Sequence, residues 1–224
     1  MTLKILAGDT VKHLFLFGGT PPFTPELGKL FAEKANQGSK KIAILFLERE
    51  GWQAYMSKYT SILEQCGIHH FYYMPLHSKV SSYELVQLSK CSGIIIGGGD
   101  TVRYRDYIVD TAIGELIKQL YQSGVPVAGF SAGALLSPEQ CVIPPVDNKE
   151  GKHLFLPGLG LISQVIISVH YTKWQEEENL LKAIRTTAVP IGYGLDDGAG
   201  CYFREQILVQ TEGSVNVLQN GRGN

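Results

Sequence analysis

Hydrophobic and polar positions alternate along this chain in blocks, with continuous apolar runs separated by segments of helical periodicity. A continuous apolar run is typical of a strand buried on both faces, as in a parallel sheet covered by helices. The predicted strands lie at residues 13–17, 42–47, 71–74, 93–96, 125–130, 161–169 and 191–195. The predicted helices lie at about residues 25–38, 52–66, 82–90, 102–122 and 174–185. The pattern therefore predicts an α/β fold, with a mostly parallel sheet and helices on both of its faces.

Local signals mark the ends of several elements. Thr24 offers a side-chain oxygen to cap the helix that begins at Pro25. Gly67 suits the left-handed conformation that ends the next helix. Residues 137–157 contain four prolines and little periodicity, which predicts a long loop of the kind that often shapes a site. Residues 201–218 alternate enough to predict a small antiparallel meander.

Length and charge narrow the class of protein. The 224 residues, 44% of them hydrophobic, suit a single domain that spans residues 1–224. The 20 Lys and Arg residues nearly balance the 21 Asp and Glu residues, which disfavours a nucleic-acid partner. No apolar stretch reaches the roughly 18 residues of a membrane helix, and the first residues are too polar for a signal peptide. We therefore expect a cytoplasmic protein with no nucleic-acid or membrane partner.

The four cysteines give no sign of a metal or disulfide framework. Cys66, Cys91, Cys141 and Cys201 are far apart, and none forms a Cys-x-x-Cys pair. A zinc ribbon, a thioredoxin-like site and a disulfide scaffold are all disfavoured by this spacing. The sequence predicts neither a metal site nor an organic cofactor.

The segment from Gly129 to Gly133 is a Gly-x-Ser-x-Gly motif that follows a predicted strand. A sharp turn from strand to helix would push the oxygen of Ser131 out of the sheet, and glycines allow the close backbone packing of such a turn. A serine in this position acts as a nucleophile once a base removes its proton. The alternative interpretation is an ordinary glycine-rich turn with a serine that caps a helix.

A run of three glycines, Gly97 to Gly99, follows another buried strand and leads into Asp100 and Thr101. Glycines let the backbone approach a ligand and direct N–H groups at it, as an oxyanion hole requires. We predict oxyanion donors at Gly98 or Gly99 and at Ala132, the residue after the serine. A phosphate-binding loop is the competing interpretation, but the segment lacks both the Gly-Lys-Ser/Thr ending and the Gly-x-Gly-x-x-Gly pattern.

Candidates for a base and an acid also follow predicted strands. His170 comes at the end of one apolar strand, and Asp196 and Asp197 come at the end of another. The carboxyl ends of strands form the functional edge of an open α/β sheet, and Ser131 lies at such an end too. Adjacent residues of a strand point to opposite faces, so we expect only one of the two aspartates to face His170. The alternatives are a structural histidine and a plain Asp-Gly turn.

Taken together, these segments resemble peptidase family S51, which includes aspartyl dipeptidase and cyanophycinase. They match in order and span most of the chain: Ile96–Thr101, Gly129–Ala134, Val169–Thr172 and Gly194–Gly198. The resemblance implies a flavodoxin-like fold related to class I glutamine amidotransferases. It implies a serine nucleophile at Ser131 and a histidine base at His170. The chain order of nucleophile, histidine and acid differs from the order in α/β-hydrolases.

The sequence departs from the family pattern at two positions. The acid is usually glutamate in the best-known members, whereas Asp197 occupies the matching position here and Asp196 stays open. Asp100 stands where peptidase E-like sequences commonly have asparagine after the three glycines. An aspartate is shorter by one methylene, so its contact with His170 would require a backbone shift or a water.

The resemblance implies a small peptide substrate, with an N-terminal aspartate as the best guess and a homodimer as the family-level expectation. A cation would receive the carboxylate of such a substrate, and Arg103, Arg105 and Lys173 lie close to the predicted site in sequence. Two alternatives remain open from the sequence. One is a hydrolase of another amide, such as an isoaspartyl or cyanophycin-like bond. The other is a non-catalytic member that binds a small molecule.

Overall fold

A computed structural model describes residues 10–220 of the chain, so the two ends of the predicted domain lie outside the described residues. The strands, β1 to β12, are His13–Phe17, Lys41–Phe46, His70–Pro75, Gly93–Ile96, Val127–Phe130, Gln140–Ile143, Leu154–Pro157, Val165–Val169, Ile191–Leu195, Gly200–Arg204, Ile207–Glu212 and Val215–Gln219. The helices, α1 to α7, are Pro25–Ala35, Trp52–Gln65, Ser82–Leu88, Thr101–Ile108, Ala112–Gln122, Ala132–Leu135 and Glu177–Thr187. Alternation of strand and helix over the first half of the chain agrees with the predicted α/β class.

The main sheet has seven strands in the order β11-β10-β1-β5-β4-β2-β3. Strands β1, β5, β4, β2 and β3 are parallel to one another, and β10 and β11 extend the sheet with antiparallel pairing. The carboxyl ends of β1, β5 and β4 therefore meet at one edge of the sheet. Ligands of open α/β sheets bind at such an edge.

A second, smaller sheet has the order β12-β9-β8. Strands β8 and β9 are parallel, and β12 pairs with β9 in the antiparallel sense. The predicted C-terminal meander is therefore antiparallel, but its strands divide between the two sheets. The pairing partners of a tail strand lie far away in sequence, and periodicity alone does not show them.

Hydrophobic cores lie on both faces of the main sheet. On one face, α1 and α2 pack Phe31 and Leu63 against Phe15 and Ile44. On the other face, α3 to α6 pack against alternate residues of the same strands, and the second sheet joins this core. Helix α7 covers the outer side of the second sheet. Because both faces are covered, the central strands are apolar throughout, as their sequences predicted.

The predicted long helix at residues 102–122 is wrong, because the segment forms two helices, α4 and α5. Thr111 has an extended backbone between them, and its hydroxyl accepts a hydrogen bond from the N–H of Ile113 at 3.2 Å. This is the bond of a helix N-cap, so a new helix begins there. The same hydroxyl donates to the carbonyl of Ile108 at 2.9 Å, which closes the end of α4.

The predicted loop at residues 137–157 is also wrong in part. Strands β6 and β7 lie inside it and pair as an antiparallel ribbon, separated by a short 3₁₀ turn at Pro145–Asp147. Strand β8 begins at Val165, later than predicted, and α7 begins at Glu177 after a series of turns. Strands of four residues beside prolines are too short to show the periodicity that predicts a strand.

The prediction that the Thr24 side chain caps α1 is wrong. Thr24 occupies the N-cap position, but its side chain makes no capping hydrogen bond. The carboxylate of Glu212, at the end of β11, accepts hydrogen bonds from the N–H groups of Glu26 and Leu27 instead. A residue far along the chain therefore satisfies the first turn of α1.

Among residues 10–220, no helix combines the length and the hydrophobicity required to cross a membrane.

Candidate active site

Ser131 lies on the sharp turn between β5 and α6. Its backbone angles are φ 47° and ψ −104°, and its N–H donates to the carbonyl of Phe17 at 2.9 Å. A Cβ on Gly129 would collide with the carbonyl of Gly133, and a Cβ on Gly133 would collide with the carbonyl of Ile96. The turn thus requires both glycines of the motif, as the sequence interpretation supposed. Ser131 itself is only 6% exposed.

His170 follows β8 and faces Ser131. Its Nε2 lies 3.0 Å from the Oγ of Ser131, within hydrogen-bonding distance. The N–H of His170 donates to the carbonyl of Gly18 at 2.9 Å, and the ring of Trp174 packs against its imidazole at 4.3 Å between centroids. These contacts fix the orientation of an imidazole whose side chain is only 10% exposed.

Of the two adjacent aspartates, Asp197 is the one that meets the histidine. Its Oδ1 pairs with the Nδ1 of His170. Asp196 points elsewhere, because its carboxylate accepts hydrogen bonds from the N–H of Thr172 at 2.7 Å and from the Thr172 hydroxyl at 3.0 Å. Partial burial raises the pKa of Asp196, but these bonds and one from Ser214 outweigh that effect, so its pKa lies below the ordinary value. The short side chain of Asp197 thus reaches the imidazole of His170 directly.

The lysine predicted to bind substrate is engaged with the same acid. The Nζ of Lys173 lies 3.6 Å from the Oδ2 of Asp197, and its side chain is mostly exposed. Arg105 turns away from the site, because it pairs with Asp110 and donates from Nε to the carbonyl of Pro157 at 3.2 Å. Arg103 alone of these three cations lines a cavity next to the glycine loop.

Two of the residues predicted to supply oxyanion donors, Gly98 and Ala132, adjoin Ser131. Ala132 is the first residue of α6, so its N–H has no acceptor within the helix. Gly98 packs against the serine so closely that a Cβ on it would lie 3.1 Å from the Cβ of Ser131. The N–H of Gly98 makes one long hydrogen bond, of 3.4 Å, to the hydroxyl of Tyr59. Gly99 is exposed, and its φ of 149° turns the chain away towards Asp100.

The end of β1 holds both sides of the site together. The carbonyls of Phe17 and Gly18 bind the backbone N–H groups of Ser131 and His170, and a Cβ on Gly19 would lie 3.0 Å from Oδ1 of Asp197. Sequence reasoning missed this role. The signal was present, since Gly18 and Gly19 follow an apolar strand in the same way as the three glycines after β4.

A second carboxylate, missed from the sequence, lies near the histidine. The Oδ2 of Asp147 accepts a hydrogen bond from the hydroxyl of Thr101 at 2.6 Å. Burial raises the pKa of Asp147 to about 6, and the repulsion from Asp100 adds to this, while the bond from Thr101 and the field of His170 act in the opposite direction. Asp147 belongs to the segment that was predicted as a loop and carries no motif.

The described residues bring no metal-binding group together. Among residues 10–220, no three His, Cys, Asp or Glu side chains are grouped as a metal ion would require. All four cysteines are free.

Serine, imidazole and carboxylate are linked in series, with the backbone of Gly98 packed beside the serine. This is the arrangement that acyl-transfer enzymes use, and it is assembled on different folds in different chain orders. Here the order is serine, histidine, acid, with the serine after a strand of the main sheet and the other two after parallel strands of the second sheet. The fold and the site together define an α/β protein in which a serine, a histidine and an aspartate are in contact.

Comparisons with known proteins specify the family. Residues 17–210 match the family model described as Peptidase family S51, and the chain belongs to this family. The chain is similar to the cyanophycinase of Trichormus variabilis, with 26% identity over 72% of this chain and 57% of that protein. The cyanophycinase of Synechococcus elongatus is 28% identical over 62% of this chain and 42% of that protein. The chain thus spans only about half of the length of these relatives.

Two solved structures share the fold. A peptidase from an acI-B1 Actinobacterium aligns over 96% of this chain and 93% of its own, with a TM-score of 0.77 and 19% identity. A putative peptidase E from Listeria monocytogenes aligns over 90% of this chain and 98% of its own, with a TM-score of 0.67 and 19% identity. At this identity the likeness establishes the fold alone.

Proposed function

We propose that this protein is a serine-type hydrolase that cleaves a peptide or amide bond of a small substrate. The observation that carries the proposal is the chain of contacts from the Ser131 Oγ to Nε2 of His170, at 3.0 Å, and from Nδ1 of His170 to Asp197. A serine hydroxyl becomes a useful nucleophile only beside a base that is itself oriented by a third group. Membership of family S51 supports the same reaction class.

In the first half of the reaction, the Ser131 oxygen attacks the carbonyl carbon of the substrate while the His170 Nε2 takes the hydroxyl proton. The carboxylate of Asp197 holds the Nδ1 proton and stabilises the imidazolium that forms. The N–H of Ala132 and that of Gly98 donate to the oxyanion, the latter by leaving its long bond to Tyr59. The imidazolium then gives its proton to the leaving amine, and an acyl-serine remains.

In the second half, a water attacks the acyl carbon and gives its proton to His170. Collapse of the second tetrahedral intermediate returns the proton to the Ser131 oxygen and releases a carboxylic acid. The net reaction consumes one water and converts one amide into one acid and one amine. No step requires a metal or an organic cofactor.

A short aspartyl peptide is the substrate that we propose. Ser131 and His170 are both buried, so a long or folded polypeptide has little room at the reacting atoms. Membership of the peptidase family and the likeness to a putative peptidase E support a peptide substrate. The likeness to cyanophycinases keeps isoaspartyl and cyanophycin-type bonds as a second candidate within the same chemistry.

A substrate panel tests this function. We would incubate the wild type and Ser131→Ala with Asp-Leu, isoaspartyl-Leu, β-aspartyl-Arg and Ala-Leu, and quantify the released amino acids by mass spectrometry. We expect hydrolysis of at least one aspartyl compound by the wild type, and a loss of roughly 10³-fold or more in Ser131→Ala. Hydrolysis that survives in Ser131→Ala, or a folded wild type that cleaves none of the four, would contradict the proposal.

A further inference from the structure

A depression of about 500 Å³ lies at the amino-terminal edge of the main sheet, on the opposite edge from Ser131. It is formed where β2 and β3 begin and where the turn after α3 leads into β4. Small ligands bind in cavities of roughly 300–1,000 Å³, so the depression is large enough for one. Its lining residues are Ser39, Lys41, His69, His70, Phe71 and Lys90.

The polar side chains of this depression are hydrogen-bond donors, and none of them is acidic. Lysine side chains are positively charged at neutral pH, and each histidine ring offers at least one N–H in either protonation state. In the described part of the chain, residues 10–220, neither Lys41 nor Lys90 forms an ion pair with a carboxylate. A set of donors and uncompensated positive charges selects an anion.

The ammonium group of Lys41 is held in place by neutral groups. Lys41 and His70 are register partners in the parallel strands β2 and β3, so their side chains leave the same face of the sheet. The Nζ of Lys41 donates to Oε1 of Gln87 at 3.2 Å and lies 5.3 Å from the centre of the Tyr72 ring. An amide and an aromatic ring orient the ammonium group without neutralising its charge.

A single serine joins the backbones of the two lysines. The Ser39 hydroxyl donates to the carbonyl of Lys90 at 2.7 Å and accepts from the N–H of Lys41 at 3.4 Å. The N–H of Ser92, two residues after Lys90, donates to the carbonyl of Lys41 at 2.8 Å. The backbones that carry the two lysines are therefore fixed relative to each other before a ligand binds, which lowers the entropy cost of binding.

We propose that this depression binds a phosphoryl group of a small molecule, with Lys41 and Lys90 as the residues that hold its oxygens. A phosphoryl group carries about two negative charges at pH 7 and three acceptor oxygens, which match two ammonium groups and the imidazole N–H donors beside them. A carboxylate has one charge and two oxygens and would leave part of this set unused. A nucleic-acid backbone would require a longer row of cations. Because the depression lies at the other edge of the sheet from Ser131, the proposal is independent of the proposed function.

Titration calorimetry at constant ionic strength measures the binding of methyl phosphate to the intact protein. The wild type is compared with the double variant Lys41→Gln, Lys90→Gln. The double variant Lys58→Gln, Lys182→Gln removes the same charge at two exposed helix positions and is the matched control. Malonate, a dicarboxylate of similar charge, is the control ligand. Thermal unfolding establishes that all the variants are folded.

We expect the wild type to bind methyl phosphate at one site and the double variant at Lys41 and Lys90 to bind it about 10-fold or more weakly, because two charged hydrogen bonds are lost. The control variant should bind as the wild type does, and malonate should bind more weakly than methyl phosphate. A folded wild type without saturable binding, equal weakening in the two double variants, or malonate binding as tightly as methyl phosphate would overturn the inference. Hydrolysis at Ser131 is tested separately by the substrate panel, so the two proposals fail on different results.

Discussion

Ser131 and His170 both have a left-handed backbone, with φ of 47° and 49°. For residues other than glycine such a conformation costs on the order of 1–3 kcal/mol, and it persists only where the surroundings impose it. Here the carbonyls of Phe17 and Gly18 impose it by holding the two N–H groups. Strain at two facing residues is typical of sites that keep reacting groups in one geometry.

Replacing Asp196 and Asp197 in turn by asparagine shows which of the two carboxylates acts on His170. Asp197→Asn should lower kcat/KM by roughly 10³-fold or more, because an amide stabilises neither the required tautomer nor the imidazolium of His170. Asp196→Asn is the matched control and should change kcat/KM by less than about 10-fold, since its oxygen still accepts from Thr172. Steady-state kinetics on the best dipeptide measures both. A larger loss in Asp196→Asn would show that the assignment of the acid is wrong.

Asp147 gives a pH-dependent effect on stability. Burial raises its pKa to about 6, above the ordinary value near 4, so its charged form is disfavoured in the folded protein. The wild type should therefore lose stability as the pH rises from about 4 through 6, while Asp147→Asn, which still accepts from Thr101, should not. The Tm difference between variant and wild type should grow from near zero at pH 4 to its full value above pH 7. A difference that stays constant across this range would contradict the effect of burial.

The candidate site was only partly predictable at this scale. Ser131, His170 and the aspartate pair each follow an apolar strand, which predicted one common sheet edge. In the structure the serine follows a strand of the main sheet, and the other residues follow strands of the second sheet. The choice of Asp197 over Asp196 depends on the contact of Asp196 with Thr172, which no spacing rule contains. Asp147 reaches the site through its hydrogen bond with Thr101, which is 46 residues earlier in the sequence.

At the scale of elements, the sequence predicts the apolar strands well. It does not predict the break between α4 and α5 or the short strands β6 and β7. The five parallel strands of the main sheet stand out because both of their faces are buried. The two helices at residues 101–122 share one periodicity, and a single hydroxyl at Thr111 separates them. The strands β6 and β7 are short and flanked by prolines, so their pairing, not their composition, defines them.

The cap of α1 by Glu212 joins two elements that are distant in sequence. Glu212→Gln should lower the free energy of unfolding by about 1 kcal/mol at pH 7, because it removes a negative charge from a helix N-terminus. Partial burial raises the pKa of Glu212, but the helix N–H bonds outweigh it and lower the pKa. The ionised Glu212 therefore stabilises the folded state fully above about pH 4.3, the pKa of an unfolded glutamate. This stabilisation is lost as the pH falls through the lower pKa that Glu212 has in the folded state.

Urea denaturation at pH 7 and pH 3 measures this contribution, and Glu50→Gln, at an exposed position, is the control. The destabilisation by Glu212→Gln should shrink at pH 3, and the control should change little at either pH. An equal destabilisation at both values would mean that the charge of Glu212 does not act on the helix.

At the scale of the whole molecule, the site is a product of sheet order. Strand β1 lies next to β5 in the main sheet, and Gly18, directly after β1, binds the backbone of His170 after β8. The end of β1 therefore positions groups from both sheets. The fold class was predictable because alternating strands and helices leave few topologies. The division of β10, β11 and β12 between the two sheets was not predictable, because it depends on which sheet edges are free to pair. The homodimer stays a prediction.

The most direct test of the account is labelling of the intact protein with a small alkyl fluorophosphonate, followed by peptide mapping by mass spectrometry. The wild type, Ser131→Ala and His170→Ala would be compared, with thermal unfolding as the control for folding. The account predicts a single modification on Ser131 in the wild type, none there in Ser131→Ala, and labelling slowed by at least about 10²-fold in His170→Ala. A folded wild type that is not modified at Ser131, or equal labelling without His170, would contradict the claim that His170 activates this serine.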